Sequence, residues 1–179
     1  MQFKLNRRAF IISIFLALHP FHAGADDGAQ TLPRGIITVD GQEAPPLVLN
    51  DINGDSIDLS QFRGKWVFAH FWASWCGPCR QEMPELEQIQ QRYSQLGFTV
   101  FGVNVEQDRK MADKVLRDIP VSFPILFDDT NAVSELYGVD AMPATVLVDR
   151  NGVIRHMHRG YTPGMEALYE QQIRQLIRE

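Results

Sequence analysis

The stretch Trp72–Arg80, WASWCGPCR, decides how the chain is read. It holds Cys76 and Cys79, the two cysteines of a 179-residue chain. A structural disulfide normally joins distant segments, because closing a long loop is where its entropic effect lies. Two cysteines three positions apart close almost no loop, so a stabilising staple accounts poorly for them. A structural zinc takes about four ligands and the motif offers two. A redox pair fits the spacing: one thiolate attacks a disulfide, and a second thiol one turn on resolves the mixed disulfide.

The flanking sequence says where the pair sits. Lys65–Ala73, KWVFAHFWA, is a nearly continuous apolar run interrupted by His70, as expected of a strand buried on both faces. Arg80–Gly97, RQEMPELEQIQQRYSQLG, carries Leu86, Ile89, Tyr93 and Leu96 at helical spacing, with Gly97 as a stop. Pro84 inside that pattern should kink the helix. Cys76 therefore falls where a strand hands over to a helix. Free backbone N–H groups and the helix dipole stabilise a thiolate there. Cys76 is expected at an exposed edge as the attacking residue, and Cys79 as the resolving one. Gly77 permits a tight turn, and Pro78 is tolerated in a first helical turn. Trp72 and Trp75 read as packing and active-site rim residues.

Working outward, APPLVLNDINGDSIDLSQFRGK reads as a hairpin turning at Asn53-Gly54. FTVFGVNV is a second buried strand. In DRKMADKVLRDI, Met111, Val115 and Leu116 are expected to face inward. FPILFD is a short strand, and TNAVSELYG is a short helix capped by Thr130 or Asn131 and stopped by Gly138. ATVLVD turns through Asn151-Gly152 into VIRHMHRG, where His156 and His158 share one face of a hairpin expected to be exposed. The last helix is amphipathic on Met165, Leu168, Ile173, Leu176 and Ile177. The order is hairpin, β-α-β-α-β-α, then β-β-α. Crossover helices impose parallel strands and the last hairpin adds an antiparallel one. The expected class is α/β, a mixed central sheet with helices on both faces.

The N-terminus reads as a secretory signal peptide, residues 1–25: Lys4, Arg7 and Arg8, an apolar run Ala9–Leu18, then Ala23-Gly24-Ala25. The run is short for a spanning helix, so cleavage is expected over a retained anchor facing the periplasm. Sec and twin-arginine export both fit Arg7-Arg8. Residues 26–40 are an extended lead-in, and 41–179 form the domain. Losing residues 1–25 removes Lys4, Arg7 and Arg8 and no acid, so the formal charge moves from −5 to −8. That excludes a phosphate-backbone binder and a polybasic membrane patch. The chain is expected to act as a monomer, without nucleic acid, in a compartment where disulfides persist.

FWASWCGPCRQEMPEL resembles the thioredoxin superfamily. Together with GQEAPPLVLNDINGDSIDLSQFRGK and YGVDAMPATVLVDRNGVI it is similar to the exported TlpA/ResA-type thiol–disulfide oxidoreductases, from about Gly41 to the C-terminus. The resemblance implies a thioredoxin fold with an N-terminal hairpin and a helix–strand insertion at about residues 106–127. It implies that Pro143 is a cis-proline beside the cysteines and that the Met142 backbone pairs with an extended substrate. It implies that Glu82 tunes thiol titration; a plainer role for Glu82 is a helix-end acid meeting the dipole. No cofactor is implied. Substrates would be disulfides of exported proteins, with cytochrome c maturation as one pathway, and electrons would come from a membrane thiol-transfer protein of DsbD/CcdA type. Cys-Gly-Pro-Cys is the thioredoxin sequence, which points to reduction over oxidation.

Two residues depart from the family. His70 stands where aspartate or asparagine is usual: either a hydrogen-bonded core histidine or a base for Cys79. Ala144 follows Pro143 where the cytochrome c branch has glutamate. Two rival functions remain at this stage: a copper metallochaperone using the thiol pair, and a peroxide-reducing thiol enzyme.

Overall fold

The structure is a computed structural model that describes residues 36–37 and 41–179. The signal-peptide reading and most of the lead-in lie outside those residues. Among the described residues, no helix is long and apolar enough to cross a membrane.

The strands and helices run in the order read from the sequence. Short strands β1 (Ile36–Ile37) and β2 (Gln42–Glu43) precede the hairpin β3 (Val48–Asp51) and β4 (Ser56–Asp58). Then come β5 (Trp66–Trp72), α1 (Gly77–Tyr93), β6 (Phe98–Asn104), α2 (Arg109–Asp118), β7 (Ile125–Phe127) and α3 (Ala132–Leu136). The hairpin β8 (Ala144–Val148) and β9 (Val153–Arg159) leads to α4 (Met165–Ile177). One mixed sheet takes the order β1-β9-β8-β5-β6-β7-β3-β4, with β2 also on β9. β6 lies parallel to β5 and to β7, while β8 lies antiparallel to β5. The helical connections β5-α1-β6 and β6-α2-β7 account for the parallel pairs, because a tight turn cannot join parallel neighbours.

β5 is the centre, and all seven of its residues are buried. Side chains alternate across a strand, so its two faces sort by parity. Trp66, Phe68 and Trp72 join a core built with Met83, Leu86 and Ile89 of α1 and Tyr169, Ile173 and Leu176 of α4. Val67, Ala69 and Phe71 join a second core with Leu47, Leu59, Val133 and Tyr137. Each fully buried Leu or Phe contributes about 1.5–3 kcal/mol, so this double-sided packing fixes β5 rigidly. Whatever stands at its end is held in place, and that is the cysteine pair.

Local detail both supports and corrects the sequence reading. α1 runs through Pro84 to Tyr93, and a 3-10 turn, Ser94–Leu96, precedes Gly97 at φ 85°. On α2, Met111 is exposed while Ala112 and Val115 are buried. Val115 faces inward as expected and Leu116 packs against the core, so only Met111 is displaced, by Ala112; Asp108 caps the helix by accepting the Lys110 N–H. Asn131 is the N-cap residue of α3, as expected, but its side chain makes no cap bond. Asp128 accepts the N–H groups of Val133 and Ser134 at 3.2 and 2.7 Å, which is why a carboxylate is buried there. His158 is fully buried rather than exposed, because Tyr169 of α4 packs on its ring at 4.9 Å.

Candidate active site

Cys76 stands at the junction of β5 and α1. Its backbone is extended (φ −82°, ψ 102°), and its sulfur accepts the Cys79 N–H at 3.2 Å, so it is itself the helix cap. The Cys76 N–H donates to the Ala73 carbonyl at 3.1 Å and closes the turn out of the strand. Gly77 and Pro78 begin the helix, where a missing N–H costs no intrahelical bond. No acidic residue occupies the first turn. A sulfur at the positive end of a 17-residue helix is a seat for an anion.

Here the pair is oxidised, with Cα atoms 5.3 Å apart. Cys76 keeps 4 % of its surface and Cys79 none, so Cys76 is buried where the sequence pointed to an exposed edge. Trp75, 69 % exposed, forms the rim. Trp72 is fully buried beneath it.

The Met142–Pro143 bond is cis. Ala144 pairs with Phe71 on β5, so Pro143 sits one residue beyond, level with the strand end that delivers the cysteines. Met142 packs on the same apolar cluster as both cysteines. Sheet register, rather than proximity in sequence, brings these residues together.

Ser74, Asn104 and Glu106 belong to the site, and the sequence reading missed them. The Glu106 carboxylate accepts the Ser74 N–H at 2.7 Å and the Ser74 hydroxyl at 2.6 Å. Asn104 donates to it at 3.1 Å and accepts the Glu106 N–H at 3.1 Å. The Val105 N–H donates to the Trp72 carbonyl at 3.1 Å. The loop before Cys76 is thereby tied to the end of β6. The available signal was polar Asn104 and Glu106 at the carboxyl end of a buried parallel strand, where α/β sites gather.

Beneath the pair lies an ionisable couple. His70 shares its face of β5 with Phe68 and Trp72, and Glu82 follows Cys79 by three residues, on the same side of α1. His70 Nδ1 is 3.4 Å from a Glu82 carboxylate oxygen, and both side chains are fully buried. Burial disfavours charge, and it pushes Glu82 up to about 8 and His70 down to about 3. An ion pair and a neutral pair hold the same number of protons here, and desolvation selects the neutral one. Glu82 lies beyond the first turn with no exposure, so the plainer reading as a helix-end acid fails. His70, which the sequence left as a core histidine or a lone base, instead stands against a buried carboxyl.

Among the described residues, no group of three or more His, Cys, Asp or Glu gathers as a metal-binding cluster.

A strand that delivers a Cys-x-x-Cys pair to a helix N-terminus, beside a cis-proline on a mixed sheet, defines a thioredoxin-fold thiol–disulfide oxidoreductase. The chain belongs to the redoxin family, whose profile matches residues 39–173. Relatives agree on the class. The thiol-disulfide oxidoreductase ResA of Geobacillus thermodenitrificans is 36% identical over 120 residues, 67% of this chain and 69% of that protein. ResA of Halalkalibacterium halodurans is 33% identical over 138 residues, 77% of each chain. Among solved structures, a candidate thiol:disulfide interchange protein DsbE from Chlorobium tepidum is 39% identical with a TM-score of 0.74, covering 77% of this chain and 97% of that one.

Proposed function

We propose that the chain is an exported, periplasmic disulfide reductase in which Cys76 attacks and Cys79 resolves. The observation that carries the reading is Cys76 at the helix N-terminus, its sulfur accepting the Cys79 N–H, with the residue keeping the only exposure of the pair. In the reduced enzyme the Cys76 thiolate attacks a substrate disulfide. One substrate sulfur leaves as a thiolate and a mixed disulfide forms. Cys79 then loses its proton and attacks the Cys76 sulfur, and the second substrate sulfur leaves. The substrate has gained two electrons and two protons. The enzyme is left with the Cys76–Cys79 disulfide, the form seen here.

Met142 and Pro143 receive an extended substrate segment, and the His70–Glu82 couple takes the Cys79 proton. Substrates are disulfides of exported proteins, with cytochrome c maturation as a pathway. Electrons return through a membrane thiol-transfer protein of DsbD/CcdA type, and the enzyme works as a monomer. The compartment follows from the signal-like residues 1–25, and the direction from Gly77-Pro78 between the cysteines.

The test is trapping in the native cell. Cys79→Ser should accumulate mixed disulfides through Cys76, and Cys76→Ser should not. Equal trapping by both variants overturns the assigned roles.

A further inference from the structure

The thiol chemistry uses His70, but His70 is only the first member of a polar row. Across the sheet it pairs in register with Thr145, and Thr145 pairs with His158. Thr145 Oγ1 and His158 Nδ1 are 3.1 Å apart. From α4, Tyr169 lays its ring 5.1 Å from Phe68 and 4.9 Å from His158. Its hydroxyl faces both the Glu82 carboxyl and the Thr145 hydroxyl. Gln172, one turn further, faces His158. His70, Glu82, Tyr169 and His158 have no exposure, and Thr145 has 1%.

Such a row is costly in an apolar layer unless its members bond to one another. α4 already packs through Ile173 and Leu176, so its anchoring does not call for a polar partner. In this disulfide form the Tyr169 hydroxyl and both Glu82 oxygens make no hydrogen bond of ordinary geometry. The row is aligned toward the couple under the cysteines without being closed on it.

We propose that Tyr169 is a positioning residue for the resolving step, its hydroxyl, backed by Thr145 and His158, stabilising the Glu82 carboxylate when the His70–Glu82 couple is deprotonated. The proposal rests on the roles given above to Cys76 and Cys79. His158 Nδ1–H donates to Thr145, Thr145 donates to the Tyr169 oxygen, and Tyr169 donates to Glu82. Each hydroxyl accepts and donates, so the chain polarises toward the carboxylate, and its last bond is charge-assisted. In the step itself the Cys79 S–H bond breaks and its proton passes to the deprotonated couple. The Cys79–Cys76 bond forms, and the bond from Cys76 to the substrate breaks with the electron pair leaving on the substrate sulfur.

Other ionisable groups near Glu82 do not replace this donor. Tyr161, in the loop before α4, gives its hydroxyl to Glu166 at 3.3 Å. Glu85 and Glu166 add negative charge at that edge. His70 faces Glu82 from β5, and Cys79 is the neighbour on its own helix.

The experiment is stopped-flow resolution of a Cys76-linked model disulfide across pH, for the full chain and for Tyr169→Phe. Phenylalanine keeps the ring contacts and removes the donor. The couple should then hold its proton to higher pH, moving the midpoint of the pH–rate curve up by about one unit, ~10-fold in rate below the midpoint. The first attack by Cys76 should be unchanged. Thr145→Val, which removes the middle link, should move the midpoint the same way by less, and it carries the test if Tyr169→Phe folds poorly. Curves that superimpose on wild type in both variants overturn the proposal, as does an equal slowing of attack and resolution at every pH. Trapping by Cys79→Ser is run alongside: its loss strikes the thiol roles, whereas trapping with unmoved curves strikes only the polar row.

Discussion

His70 Nδ1 lies 3.4 Å from a carboxylate oxygen of Glu82, and water reaches neither side chain. The two titrate as one unit whose apparent pKa values belong to the pair. The couple holds two protons across the neutral range and gives one up on the alkaline side, where Glu82 is pushed to about 8. In the proposed resolving step, that deprotonated couple is the base that takes the Cys79 proton.

His70→Asn should leave the fold and the first attack by Cys76 nearly intact. It removes half of the couple, so release of the mixed disulfide should slow by ~10²-fold or less and its pH dependence should shift. Stopped-flow resolution from pH 6 to 9 checks this. Superimposable curves for wild type and variant would return His70 to a purely structural role.

The same couple sets a signature in stability. Folding raises Glu82 from its ordinary 4.5 to about 8, so between those values the folded chain holds a proton that the unfolded chain has released. That term lowers stability as pH rises. Folding lowers His70 from 6.5 to about 3, so there the unfolded chain holds the extra proton and stability falls as pH drops. From about 4.5 to 6.5 the two terms nearly cancel. From about 6.5 to 8 only the Glu82 term acts, and stability should fall by about 1 kcal/mol per pH unit. Urea unfolding of the oxidised protein measures it. Glu82→Gln should flatten that alkaline slope; an unchanged slope would remove Glu82 as its source.

The dipeptide between the cysteines sets an expectation for direction. A Cys-Gly-Pro-Cys pair at a helix N-terminus should have a reduction potential of roughly −300 to −220 mV. A glutathione redox titration near the strong-oxidant end, about −120 mV, would instead assign the enzyme to disulfide formation.

The parts of the site that were legible in the sequence are those with one-dimensional signatures. β5 is an unbroken apolar run, the cysteines sit three apart, and Pro143 was reached by resemblance rather than by spacing. What was not legible depends on register. On α4, Leu168 looked like the inward residue, but Tyr169 and Gln172 are buried instead. The helix faces a polar row on β8 and β9 that no local pattern reveals. Met111 and Ala112 exchanged places on α2 because an isolated methionine does not fix a helical face. The burial of His158 is not legible locally, because the ring packed on it belongs to Tyr169 of α4 and the strand paired beside it, Ile36–Ile37, lies far away in sequence.

Glu106 offers a last test, because two effects of opposite sign meet there. Its carboxylate holds Ser74 by two hydrogen bonds and Asn104 by one, fixing the loop that aims Cys76. Its negative charge also opposes a thiolate nearby. Glu106 is only half-buried, so water screens the charge, whereas the hydrogen bonds are short and local; the geometric effect should win. Glu106→Ala should then lower stability by about 2–3 kcal/mol and slow alkylation of reduced Cys76 near neutral pH. Glu106→Gln removes the charge and keeps part of the bonding, so its alkylation should be at least as fast as wild type with a smaller loss of stability. Thermal unfolding and iodoacetamide kinetics on the three proteins separate the terms. If Glu106→Ala alkylates as fast as wild type and unfolds at the same temperature, Glu106 has no part in aiming Cys76.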